Sequence, residues 1–138
     1  MKVYQTKSHK LAGTNYSEIY PKAFALFKHI RQKGKRRAYI RSAYFNKQKV
    51  FLDLFWPHLH DKNWSDKVRR LKFYACALEL IQNSKYEPFS IPHPGKRSEI
   101  LHRFTGMSAE KDLFYVQIKE DKKTNEKFLI SVFPGSSI

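Results

Sequence analysis

Apolar positions along this chain change period several times, and each change marks an element. From Ser17 to Lys33, Ala23, Phe24, Phe27 and Ile30 recur at helical spacing, with Pro21 suited to the first turn and Gly34 to the stop. Residues 38–56 then turn aromatic and β-rich, in AYIRSAYF and VFLDLFW. Asn46-Lys47-Gln48-Lys49 joins the two runs, which predicts a hairpin, although the alternation is imperfect and leaves a helix open. Trp56-Pro57-His58-Leu59-His60-Asp61 ends that hairpin. Val68, Leu71, Ala75, Leu78 and Ile81 form the stripe of a long helix, with Ser65 as N-cap, Asp66 in its first turn and an end at Asn83 or Ser84. Pro88, Pro92, Pro94 and Gly95 predict a loop over 86–97. Beyond it EILHRFTG, LFYVQIKE and KFLISVF read as three strands.

These elements predict an α+β domain over 17–138, preceded by a basic, poorly patterned arm at 1–16. The domain comprises a basic N-terminal helix, a β-hairpin, a long packed helix and a three-stranded antiparallel sheet at the C-terminus, which the hairpin could join. A chain of 138 residues buries one core.

The C-terminal hairpin can be registered by placing its apolar residues on one face. Pairing Glu120 with Glu126 sets Ile118, Val116 and Phe114 opposite Phe128, Ile130 and Val132. The other face then holds Tyr115 opposite Ser131, Gln117 opposite Leu129 and Lys119 opposite Lys127. Adding strand 98–105 pairs Thr105 with Leu113 and Arg103 with Tyr115. Arg103, Tyr115 and Ser131 thus cross three neighbouring strands, flanked by Thr105, Gln117 and Lys119. A strip of cation, phenol and hydroxyl suits a phosphodiester, because arginine holds phosphate bidentately and tyrosine stacks on a base or donates a proton. The solvent side of an ordinary half-exposed sheet is polar too. His102 points with Ile100 and Phe104 toward the core in this register; a bulge or a one-residue slip would swing it beside Arg103.

Charge turns this strip toward a partner. Residues 1–50 carry thirteen Lys or Arg and one acid, Glu18, within a formal net charge of +15. A field of that size repels itself in the folded state and attracts phosphate polymers through counterion release, so RNA, or alternatively DNA, is the expected partner. Lys33, Lys35, Arg36, Arg37 and Arg41, interleaved with Tyr39 and Tyr44, are the candidate nucleic-acid-binding residues. A basic surface that serves only solubility is the competing reading.

His58 and His60 stand two apart, so on an extended segment both point one way. They are candidates for proton transfer facing the Arg103 strip, or an exposed pair at a strand end. A zinc site lacks its third and fourth ligands, so no metal and no cofactor are expected. The scarcity of acids near the strip argues against a two-metal nuclease. Cys76 is the only cysteine and sits in a buried helical run, as a core thiol rather than a nucleophile. No run is apolar enough for a membrane span and the N-terminus lacks a signal-peptide core, so no membrane partner and a cytoplasmic location are expected.

The segments Glu99-Ile-Leu-His-Arg-Phe-Thr-Gly106, Leu113-Phe-Tyr-Val-Gln-Ile-Lys119 and Phe128-Leu-Ile-Ser-Val-Phe-Pro134 resemble the phage and toxin nucleases grouped with barnase, EndoU, the colicin ribonucleases and RelE. The resemblance covers about 36 residues at the C-terminus, with looser agreement from the helix 65–84. It implies helices packed on a small antiparallel sheet that cuts RNA without metal, through attack of the 2′-oxygen on the adjacent phosphate. His102, Arg103, Thr105, Lys119 and Ser131 match the positions that carry catalysis, with Tyr115 beside them. It also implies an inhibitory antitoxin or immunity protein as a partner. The hairpin ahead of the main helix departs from the simplest arrangement of that group. A non-catalytic nucleic-acid-binding protein is the alternative.

Overall fold

The computed structural model describes residues 2–34 and 36–135. Asn15 caps helix α1 (Tyr16–Lys33), its side-chain oxygen accepting the Glu18 amide at 3.1 Å. Gly34 closes it as expected, while Pro21 lies in the second turn rather than the first. The hairpin forms from β2 (Tyr39–Ser42) and β3 (Gln48–Phe51), both shorter than the β-rich run suggests. The run's end is helical: α2 (Phe55–His60) tolerates Pro57 because its missing amide falls in the first turn.

The long helix expected over 65–84 is two helices, α3 (Trp64–Leu71) and α4 (Tyr74–Asn83). Asn63, not Ser65, is the cap, accepting the Asp66 amide at 2.8 Å. At the break Phe73 leaves the helical path and stacks on Phe114, with centroids 5.2 Å apart. The Lys72 carbonyl, freed there, accepts the Leu11 amide at 2.8 Å. The apolar stripe runs through both helices, so periodicity alone does not register the break.

The remaining strands are β1 (Tyr4–Gln5), β4 (Phe89–His93), β5 (Lys96–Met107), β6 (Leu113–Asp121) and β7 (Lys127–Pro134). Together the seven form one curled sheet, half of a barrel, in the order β1-β5-β6-β7-β3-β2, with β4 also on β5. The architecture is therefore mixed α/β with four helices among the described residues, which corrects the expected three-stranded C-terminal sheet with one long helix. Two strands come from segments without a strand pattern. The proline-rich segment 86–97 supplies β4, which lies on the edge of the sheet, where Pro92 can lack its amide without breaking an interior ladder. Tyr4 and Gln5 of the arm pair in parallel with Gly106 and Met107.

Carboxylates hold the arm, Glu110 accepting the Lys10 amide at 3.0 Å and Glu79 making the most bonds. Glu79 accepts the Tyr4 hydroxyl at 2.9 Å, the Ser8 hydroxyl at 2.7 Å, and the Lys7 and Ser8 amides. Burial alone would raise its pKa, but these donors outweigh burial and hold it below the usual carboxylate range. A lowered folded-state pKa contributes stability above the unfolded value near pH ~4.3, lost as pH falls through the folded value. Glu79→Gln is expected to cost about 1.5 kcal/mol at neutral pH, discounted for partial exposure, and to speed amide exchange at Lys7 and Ser8. Urea unfolding at pH 7 and pH 3 checks this: the difference from wild type should shrink in acid.

Helices α1 and α4 fill the concave side of the sheet. Ile19, Ala23, Phe27, Leu80 and Ile81 meet Phe104, Phe114, Val116, Ile118, Leu129 and Val132 in one core. Cys76 is buried there, and burial pushes its thiol up to about 11, in keeping with a core role. No helix among the described residues is long and apolar enough to cross a membrane.

The β6–β7 register differs from the expected one in two steps. Glu120 pairs with Lys127 across a turn in which Asn125 takes a φ of 64°, a one-residue slip. A bulge at Ile130 adds a second shift, so that Gln117 faces Ser131 and Tyr115 faces Phe133. Lys127 and Leu129 thereby point inward in place of Phe128 and Ile130, and the bulge returns Val132 to the core. Lys127 is only 2% exposed; its ammonium donates to the Asn125 carbonyl and side-chain oxygens at 2.9 and 3.0 Å. On the other side, β5 meets β6 two residues from the expected pairing, with Arg103 opposite Gln117 and Thr105 opposite Tyr115.

Candidate nucleic-acid interface

A two-residue shift preserves which face each side chain takes, so the convex face of the sheet keeps most of the expected strip. Arg103, Gln117 and Ser131 line up across β5, β6 and β7, and Thr105, Tyr115 and Phe133 form the next row. The Arg103 guanidinium lies 5.6 Å from the Tyr115 ring centre and 5.4 Å from that of Phe133. Arg70, on α3, approaches Phe133 from its own side at 5.5 Å, so two guanidiniums share one ring. Lys119 is on this face as well, 3.6 Å from Glu99 and over Phe128.

Arg70 is the residue the sequence did not single out. Beyond its short pairing with β3, β7 is flanked by α2 and α3, which carries Arg70 onto the strip. Its guanidinium donates to the Ser131 hydroxyl at 2.7 Å and to the Asp66 carboxylate at 3.1 Å. A cleft of about 200 Å³ opens here, lined by Phe55, His58, Leu59, Lys62, Arg70, Gln117, Ile130 and Ser131. His58 therefore reaches the strip, whereas His60 is exposed and does not line the cleft. On α2 the two histidines diverge by about 200°, in place of the shared direction of an extended segment. Three cationic or titratable side chains and a hydroxyl thus meet in one small cleft.

The basic residues of the first half line a larger feature. A groove of about 960 Å³ runs between the end of α1 and the β2–β3 hairpin. Lys33, Arg41, Lys47 and Lys85 line it with Tyr39, Tyr44, Asn46 and Gln82, and no carboxylate is among its lining residues. Arg41 sits directly across the ladder from Lys49, and both cations lie over the Tyr39 ring, at 5.5 and 4.7 Å. Like charges opposite each other cost stability, a cost that an anion in the groove would offset. Tyr44 is half-buried edge-on against Phe45 and Phe104. Arg36 is exposed outside the groove lining, and Lys35 lies outside the described residues. Arg37 is committed elsewhere, with two nitrogens on Asp53 at 2.7–3.0 Å and its plane 4.4 Å from the Phe51 ring centre.

Lys85 also borders a second groove, with Lys2, Tyr86, Glu87, Pro88, Phe89, Arg103 and Thr105. Phe89 is 63% exposed there and Tyr86 42%. The tyrosine groove and the arginine strip are therefore joined through Lys85 by exposed aromatic rings.

His102 is on the opposite side of the sheet from Arg103, as the inward register expects. It is 7% exposed, with Nδ1 2.6 Å from the Ser90 hydroxyl and Nε2 2.8 Å from Glu120. Phe45 packs edge-on against its ring. The ladder sets His102 apart from Arg103, Thr105, Tyr115, Lys119 and Ser131, which share the outer face.

No protein-family model, curated protein or solved structure matches the chain.

Proposed function

We propose that this protein binds single-stranded RNA along the tyrosine-lined groove and, through Lys85, the arginine strip of the convex sheet face. The observation that carries the reading is a groove of about 960 Å³ with four cations, two tyrosines and no carboxylate among the described residues of its lining. Cations track the phosphates, and rings accept bases of any sequence by stacking. The shape favours an unpaired strand, because the aromatic rings of the groove and of Tyr86 and Phe89 can reach bases only when those are unstacked.

A second reading, metal-independent cleavage of the bound RNA, is favoured by the Arg70–Ser131 contact beside His58. In that chemistry the 2′-oxygen attacks the neighbouring phosphorus and the bond to the 5′-oxygen breaks, leaving a 2′,3′-cyclic phosphate. His58 would take the 2′-hydroxyl proton, and the leaving 5′-oxygen would take one from solvent water. Arg70, Arg103 and Lys62 would hold the phosphorane charge, with Thr105, Tyr115, Lys119 and Ser131 positioning the strand. This is the reaction of the nuclease group that the C-terminal strands resemble, and an inhibitory protein partner would accompany it.

One experiment separates the two: end-labelled RNA incubated with protein in EDTA, run on native and denaturing gels. Retarded but intact RNA supports binding alone. Cleavage that Arg103→Ala and His58→Ala each reduce by at least tenfold, with retardation kept, supports the nuclease. RNA that is neither retarded nor cut removes both readings.

A further inference from the structure

Trp64 is the most exposed large apolar side chain among the described residues, at 65%. Tryptophan normally buries most of its ring, so one left open on a helix asks for an occupant. Its surroundings define what could fill the space. Tyr16 meets the indole edge-on at 4.9 Å, and the Lys67 ammonium lies 4.2 Å from its ring centre. Lys67 is 7% exposed, and its ammonium makes neither an ion pair nor a hydrogen bond among the described residues; the rings of Trp64 and Tyr16 are the close electrostatic contacts it has there. An ammonium with no carboxylate partner keeps its charge available to an approaching anion.

The helical turn of α3 places Lys67 to one side of Trp64 and Ser65, Val68, Arg69 and Lys72 to the other. That second side opens into a cleft of about 630 Å³, completed by Thr14, Asn15 and Tyr16, with no carboxylate in its lining. Arg69 has a side chain 62% exposed and lies 3.6 Å from the Asp66 carboxylate, and it neighbours Arg70, whose guanidinium sits on the Phe133 ring of the strip. The cation track of the convex face therefore continues around α3 to the indole.

We infer that Trp64 is a base-stacking post at the far end of the same RNA track, with an unpaired nucleobase against the open indole face and the flanking phosphates on Arg69 and Lys72. The inference rests on the RNA-binding reading and extends it past Arg70. An aromatic ring at a cleft lined by cations, with Asp66 turned to Arg69 and Arg70 and not among the described lining residues, complements a nucleotide, with its π-face and anionic phosphate, better than it complements an acidic peptide.

The test is a fluorescence and anisotropy titration with oligouridylate of about 16 nucleotides, beside one of about 4 nucleotides. Trp56 is 9% exposed, so a ligand-dependent change reports Trp64, and Trp64→Phe identifies that signal by its loss. The long oligomer is expected to quench Trp64, Trp64→Ala to weaken its binding roughly tenfold, and Trp64→Phe to keep most of the affinity. The short oligomer, held in the groove alone, should be insensitive to Trp64→Ala. If the long oligomer binds both Trp64 variants like wild type and leaves the indole unquenched, the stacking post is wrong while RNA binding stands. Quenching by anionic lipid vesicles but not by RNA would overturn the post in favour of a membrane surface. No binding of either oligomer overturns the RNA reading, and the post with it.

Discussion

Exchanging Arg41 and Lys85 for glutamate together is expected to weaken single-stranded RNA binding about a hundredfold at moderate salt, or about 2.8 kcal/mol. Both side chains line the groove, both are exposed, and neither is in an ion pair with a carboxylate among the described residues. Each reversal removes one phosphate contact and adds one repulsion, so the effect exceeds that of two neutral substitutions. The salt dependence sharpens the test. Each phosphate contact on a single strand contributes a slope of about −0.7 in log affinity against log salt, so losing two should flatten the slope by about 1.4. Loss of binding through unfolding is separable. Arg41 stands opposite Lys49, and a glutamate there would convert a repulsive cross-strand pair into an attractive one. Arg41→Glu should therefore leave the unfolding midpoint unchanged or raised while RNA affinity falls. A midpoint that drops together with affinity would assign Arg41 to the hairpin instead, through its hydrogen bond to the Lys47 carbonyl.

The largest effect on stability is expected at Gly106. This glycine lies on the inward face of β5 opposite Phe114, where α4 crosses the sheet. A Cβ built there would stand 2.5 Å from Phe114 Cζ and 2.7 Å from Leu80 Cδ1. Both neighbours are locked in the core, Phe114 at 0% and Leu80 at 1% exposure, and Phe114 is further pinned by its stack on Phe73. Neither ring nor methyl can withdraw without displacing the break between α3 and α4. Gly106→Ala should cost about 3 kcal/mol, read as a lower urea midpoint and a Tm lower by about 10 °C. Gly95→Ala is the matched control, because there the nearest atoms are those of His93 at 3.6 Å, an ordinary contact.

Side-chain alternation was enough to put Arg103, Thr105, Tyr115 and Lys119 on one sheet face, because a slip of two residues between β5 and β6 leaves their faces unchanged; Ser131 joins them because the bulge at Ile130 undoes the one-residue slip that swaps the faces of 127–130. Row partners were not legible. They depend on a four-residue turn with Asn125 in the left-handed region and on the bulge at Ile130, and neither alters the apolar pattern. The same two features bury Lys127, a residue that composition alone places in water. Strand β4 was masked by its prolines, whose constraint is satisfied at an edge. Strand β1 spans two residues, too short for periodicity, and the arm beside it is held by Glu79, on a helix 72 residues away from Lys7. Arg70 was hidden for a related reason. On α3 it reads as solvent-facing beside Arg69, and only tertiary packing against β7 turns it onto the strip. His58 became a strip residue because a helix, α2, forms where an extended segment was expected.

RNA bound as proposed lies in the groove bounded by α1 and the β2–β3 hairpin. Ultraviolet crosslinking of wild-type protein to a uridine-rich single strand, with the adducts mapped by mass spectrometry, tests it most directly. Adducts are expected on Tyr39 or Tyr44, fading as salt is raised. Adducts confined to surfaces outside the groove, or a yield indifferent to salt, would contradict it.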